Sequence, residues 1–241
     1  GISGKAIAND ALLIDLSKMS NLSANPLTMV ATAQAGVLLR ELDVGTQAHG
    51  MAVPAGVVSH TGVAGLTLGG GIGINMRKMG LTSDNLLSVQ IVTADGKLRT
   101  ASDSENTDLF WAVRGGGGTF GVVTSFTYRM PQLDPEILSG VMVYAMDDAK
   151  DMVNRYFDYS LDAPRELSMS AAMSLKPSGE PFLMAGFQYM GPPKEGEKVL
   201  KSYRKMGKPI ADLISPKTFL RQQTLLDAGN PHGTNYYIRG R

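Results

Sequence analysis

Apolar and polar residues alternate along residues 28–34 (TMVATAQ) and again along 121–129 (GVVTSFTYR), the period of a strand with one buried face. Residues 86–94 (LLSVQIVTA) form a more continuous apolar run. Asp95-Gly96 follows as a strong hairpin dipeptide, and 97–100 return as the partner strand. The short run 11–16 (ALLIDL) also reads as a strand. Helical spacing shows elsewhere. From Gly36 onward, Val37, Leu38, Leu42 and Val44 recur about once per turn, and His49-Gly50 ends the pattern. A second short helix covers 108–113 and stops at the glycines 115–118, with Phe110 and Trp111 expected in the core.

Beyond 131–135, where Pro131 and Pro135 interrupt the chain, the elements lengthen. A strand near 138–145, a helix near 148–160, strands near 166–174 and 181–190 and a helix near 194–206 make a second α+β layer. The expected division is therefore 1–132 and 133–241. Met169, Met173 and Met184 fall in apolar runs and read as core filler. The end, 235–241, reads as a strand cut in mid-run, and the opening Gly1-Ile2-Ser3-Gly4 has no initiator Met, so the chain is expected to be a fragment. It contains no secretory signal pattern and no stretch of about 20 apolar residues.

Composition narrows the chemistry. The 241 residues are 43% hydrophobic and 19% charged, enough apolar material for a real core. Lys and Arg total 23 against 22 for Asp and Glu, a net charge of +1 that gives no reason to expect nucleic acid or an acidic membrane as partner. With no cysteine, a disulfide scaffold, a thiolate nucleophile and a cysteine zinc site are all excluded. His49, His60 and His232 lie far apart in sequence, which argues against a histidine metal site. The unusual feature is 28 glycines, gathered into blocks.

Those blocks do not fit the common nucleotide motifs. Neither Gly4-Lys5-Ala6 nor Gly207-Lys208-Pro209 completes a P-loop. Gly116-Gly117-Gly118-Thr119-Phe120-Gly121 has the letters of a dinucleotide fingerprint, but it follows a helix and opens a strand, the reverse of the required context. The larger block, PAGVVSHTGVAGLTLGGGIG from Pro54 to Gly73, holds seven glycines with the hydroxyls of Ser59, Thr61 and Thr67. Successive backbone N–H groups in such a segment can cradle a diphosphate, with the hydroxyls as added donors. A set of tight turns would use the same glycines. Spacing alone leaves both readings open.

This block, followed by RKMGLTSDNL at 77–86, VTADG at 92–96 and DLFWAVRGGGGTFGVV at 108–123, resembles the FAD-binding domain of the vanillyl-alcohol-oxidase (PCMH) type. Within that type it is most similar to the berberine-bridge-enzyme-like FAD-linked oxidases. The resemblance runs in unbroken order from about Gly1 to Met130, and the second half resembles the start of that family's substrate domain more loosely. It implies an α+β fold: a PCMH-type FAD-binding domain lacking its N-terminal subdomain, then part of an α+β substrate domain with an antiparallel sheet.

The resemblance also implies a cofactor, FAD, and its contacts. Ser59, His60, Thr61, Gly62 and Gly65 match the segment along the ribityl and diphosphate, with Thr61 near the flavin ring. Gly69, Gly71 and Gly73 continue that contact, Gly121, Val122 and Val123 match the strand beside the adenosine, and Asn85 matches a residue close to the cofactor. His60 is also open to simple loop packing. Arg77 and Lys78 read as a solvated turn, with phosphate steering as the alternative. The histidine that usually attaches FAD covalently would precede Gly1. Val58 stands where some members carry a second, cysteine attachment, so bicovalent flavin is excluded. The implied chemistry is two-electron oxidation of a substrate C–H next to O or N, with hydride passing to flavin N5 and O2 commonly reoxidising the flavin. The alternatives are a flavin dehydrogenase with another acceptor, or a binding protein that retains the fold. No catalytic residue is assigned.

Overall fold

The computed structural model describes Gly4 and residues 7–234. The strand expected at 235–241 lies outside the described residues. The chain divides into two compact units, one of Gly1–Gly73, Met79–Gln132 and Gln223–Arg241, the other of Ile74–Lys78 and Leu133–Gln222. The main cut falls at Gln132/Leu133, but residues 223–234 do not stay with the second unit as the 133–241 division expects. They return to the first unit through polar contacts with its glycine block.

In the first unit the strands are β1 (Leu22–Asn25), β2 (Val30–Gln34), β3 (Leu86–Val92), β4 (Leu98–Ser102) and β5 (Val122–Arg129), forming an antiparallel sheet of order β1-β2-β5-β3-β4. Gly96 has φ +74° at the β3–β4 hairpin, the left-handed conformation that explains glycine there. Helices α1 (Leu39–Gln47), α2 (Val63–Leu68) and α4 (Thr107–Val113) belong to this unit, and α3 (Met76–Met79) spans the segment that crosses to the second. Ala31, Ala33, Leu39, Leu42, Val89, Ile91, Phe110 and Phe126 are buried in one core. Burial of such side chains contributes roughly 1.5–3 kcal/mol each for the larger ones.

Two expectations fail here, and one open reading is narrowed. Residues 11–16 form no strand; among the described residues they pair with nothing, and Leu12 is 90% exposed. Trp111 is 76% exposed, because α4 turns Phe110 and Val113 inward and its neighbour outward. The glycine block is not turns throughout: 63–68 form α2, fixed to the sheet by a 2.7 Å hydrogen bond between the Thr67 and Tyr128 hydroxyls.

The second unit has β6 (Glu136–Ala145), β7 (Leu167–Leu175), β8 (Pro181–Tyr189), β9 (Ala211–Asp212) and β10 (Ser215–Thr218), antiparallel in the order β10-β6-β8-β7 with β9 on β6. Helices α5 (Ala149–Asp162) and α6 (Pro193–Tyr203) add Met152, Leu200 and Tyr203 to a core with Leu138, Met142, Tyr144, Leu183 and Phe187, and α7 (Phe219–Gln223) follows β10. Met173 is 71% exposed and not core filler, since β7 is the end strand of its sheet. Arg77 donates to the carbonyls of Leu167 (2.9 Å) and Ala163 (3.0 Å), and Lys78 to that of Met190 (2.5 Å). Arg77 is therefore not a solvated cation, whereas Lys78 stays exposed while its ammonium is bonded to a carbonyl. They fasten the 74–78 segment within the second unit by satisfying carbonyls at the end of α5, the start of β7 and just past β8.

Candidate cofactor site

The first unit brings its two glycine blocks together. The Gly117 N–H donates to the Leu68 carbonyl at 2.8 Å, so the loop after α4 lies against the end of α2. The larger block is also fixed to α1, whose first N–H groups lack partners within the helix. Leu39 N–H donates to Thr61 O at 2.9 Å and Arg40 N–H to Ser59 O at 2.8 Å. At the same terminus the Glu41 carboxylate accepts the Leu38 N–H at 2.7 Å.

The glycines here fall into two physical kinds. Gly71 (φ +80°) and Gly121 (φ +147°) are demanded by the chain itself. A Cβ on Gly71 would strike Thr82 and Leu66, and one on Gly121 would strike the Val92 carbonyl. Gly62, Gly65 and Gly118 are different. Their φ values are ordinary, and a Cβ at any of them would meet nothing within 4 Å. Gly65 even lies inside α2, exposed, where glycine costs about 1 kcal/mol relative to alanine. Nothing among the described residues explains why these three positions lack a side chain.

The first residues 1–102 match the FAD binding domain family. Over 238 residues the chain is 35% identical to an FAD-linked oxidoreductase of Dictyostelium discoideum, a match spanning 98% of this chain and 51% of that protein. Residues 1–102 are thus an FAD binding domain, and the chain is similar to FAD-linked oxidoreductases. Its fold is similar to that of 6-hydroxy-D-nicotine oxidase from Arthrobacter nicotinovorans, with TM-score 0.88 and 26% identity over 97% of this chain and 52% of that one. It is also similar to BBE-like 1 of Physcomitrella patens, with TM-score 0.77 and 28% identity over 92% of this chain and 48% of that one. The chain spans about half the length of the relatives it matches.

At Gly62, Gly65 and Gly118 the backbone is bare, which leaves room for the close approach of a ligand. Gly69, exposed at the end of α2, continues this stretch, and Gly73 is buried just beyond it. Thr61 is half-exposed beside Gly62. Val122 and Val123 are in register with Val92 and Ile91 on β3, Val123 being buried in the sheet.

Other sequence candidates are bonded within the chain. Thr67 is fully buried on Tyr128 and supplies no donor to a ligand. Both Asn85 amide hydrogens are committed to the carbonyls of Met79 and Leu81, each at 2.9 Å, which shapes the 79–85 turn. Ser59 gives its N–H to Asp227 Oδ1 at 2.8 Å and its hydroxyl to Oδ2 at 2.5 Å. The His60 ring lies against His232, centroids 4.3 Å apart and tilted by 47°. Partial burial alone would push the Asp227 carboxyl up. The two Ser59 hydrogen bonds, with His60 and Arg40 nearby, outweigh that and hold it below the usual carboxylate range.

Sequence reasoning missed Asp227, Gln223 and Asp43, because their partners are 167 or more residues away. Gln223 donates to the Gly56 carbonyl at 3.0 Å and to Asp43 Oδ2 at 3.3 Å. Asp43 is 2% exposed, and burial pushes its carboxyl up to about 7, with the Gln223 hydrogen bond opposing. Among the described residues, no group of His, Cys, Asp and Glu is placed to hold a metal, and no helix is long and apolar enough to cross a membrane.

Proposed function

We propose that the whole protein is an FAD-dependent oxidase acting on a small-molecule substrate, and that Thr61, Gly62, Gly65, Gly69 and Gly118 present backbone to the cofactor. The observation that carries this reading is the open space at Gly62, Gly65 and Gly118, joined to the Gly117–Leu68 hydrogen bond that unites both blocks. FAD held there would supply two-electron oxidation of a substrate C–H next to O or N, with O2 as the proposed final acceptor. The chain's own work is placement. α1 and the Thr67–Tyr128 pair fix the ends of the glycine block, and the 115–118 loop is held against α2.

Two of these relatives support oxidoreductase chemistry by their names, one an FAD-linked oxidoreductase and one an oxidase. The test is the visible spectrum of the full-length protein before and after acid precipitation. A flavin spectrum is expected, and a yellow pellet identifies covalent attachment. A colourless native protein refutes the reading. One equivalent of peroxide per substrate oxidised is expected of an oxidase; substrate oxidation without peroxide assigns a dehydrogenase with another acceptor.

A further inference from the structure

Residues 223–234 run along the glycine block and hold it at three points: Gln223 on the Gly56 carbonyl, Asp227 on Ser59, and His232 against His60. This strap is not fastened by a greasy core. Leu225 and Leu226 are each about half exposed, so directional polar contacts fix its position. At Ser59 the fixation is complete. Its carbonyl accepts from Arg40, while its N–H and hydroxyl are both taken by one carboxylate. Ser59 is 5% exposed, and two residues further on begins the turn at Thr61 and Gly62 that leads into the open face of α2.

We infer that Asp227 is a positioning residue for the cofactor: by clasping Ser59 it sets the Thr61–Gly62 backbone where FAD meets it. The inference rests on the FAD reading above and assigns a role to a residue far outside the glycine motifs. Two charge-assisted hydrogen bonds from the backbone and the side chain of one residue define orientation as well as distance. Pre-organised backbone improves ligand affinity by removing the ordering cost from the binding step. Asp227 is thus expected to act on the cofactor only through Ser59.

The test uses the full-length protein and free FAD as probe, with flavin occupancy per folded polypeptide and visible circular dichroism of bound flavin as readouts. Asp227→Ala is expected to lower FAD affinity about tenfold, or occupancy correspondingly where attachment is covalent, and to alter the flavin dichroism. Asp227→Asn retains an acceptor for the Ser59 N–H and a group that can bond its hydroxyl, so it is expected to restore both readouts. Ser59→Ala, which keeps the backbone contact, should fall between. Far-UV circular dichroism of each apo-protein confirms that folded chains are compared. Asp227→Ala with wild-type occupancy and dichroism overturns the inference. So does tighter FAD binding, which would make the carboxylate a competitor of the diphosphate, and so does failure of Asp227→Asn to restore. A colourless wild type refutes the FAD reading itself and the inference with it.

Discussion

Asp43 offers the sharpest energetic test. It lies on α1, 2% exposed, with Oδ2 on Gln223 and Oδ1 without a hydrogen-bond partner among the described residues. Displacing its carboxyl from 3.8 to about 7 is a penalty on the ionised form. At 1.36 kcal/mol per pH unit, that penalty is about 4 kcal/mol. The sign follows from proton binding. Between pH 3.8 and about 7 the folded state holds the proton more tightly than the unfolded chain. Stability is therefore free of the penalty below the unfolded value, declines as pH rises through this window, and stays low above it. Asp43→Asn keeps an acceptor for Gln223 and removes the charge. It should flatten the decline and raise stability at about pH 8 by about 1–3 kcal/mol, less than the full penalty because the new amide N–H groups need partners. Urea unfolding followed by far-UV circular dichroism at several pH values between about 4 and 8 measures this. Equal pH slopes in the two proteins would refute the assignment of a buried, poorly satisfied carboxylate.

Gly65→Ala should stabilise the apo-protein by up to about 1 kcal/mol, since α2 gains a helix former that meets no neighbour, while flavin occupancy falls; undiminished flavin in a stabilised variant would show that the open face is not the cofactor's. Thr67→Val should cost about 1–3 kcal/mol by leaving the buried Tyr128 hydroxyl unpaired, and Tyr128→Phe added to it should recover part of that loss in a double-mutant cycle. Arg77→Ala, which frees the carbonyls of Ala163 and Leu167, should speed hydrogen exchange at the start of β7 and leave the β3–β4 hairpin unchanged.

Local periodicity sufficed for the long elements. β3, β4 and β5 follow from alternation and the Asp95-Gly96 turn, and β6, α5, β7, β8 and α6 from runs long enough to show their period. The glycine motifs pointed to FAD only through their resemblance to a known FAD-binding domain, since their spacing fits a cradle and a set of tight turns equally well. Short-range pattern could not separate the kinds of glycine. Gly71 and Gly121 answer to Thr82 and Val92, Gly65 to nothing among the described residues, and only assembled coordinates tell a packed position from an open one. The same holds for side chains whose role depends on a distant partner. Arg77 looks solvated until the carbonyls of Ala163 and Leu167 are beside it, and Ser59 looks like a ligand donor until Asp227 takes both its hydrogens. Hydrogen-bond partners across 86 to 168 residues leave no periodic trace, since each bond needs one residue at one place and not a repeating face.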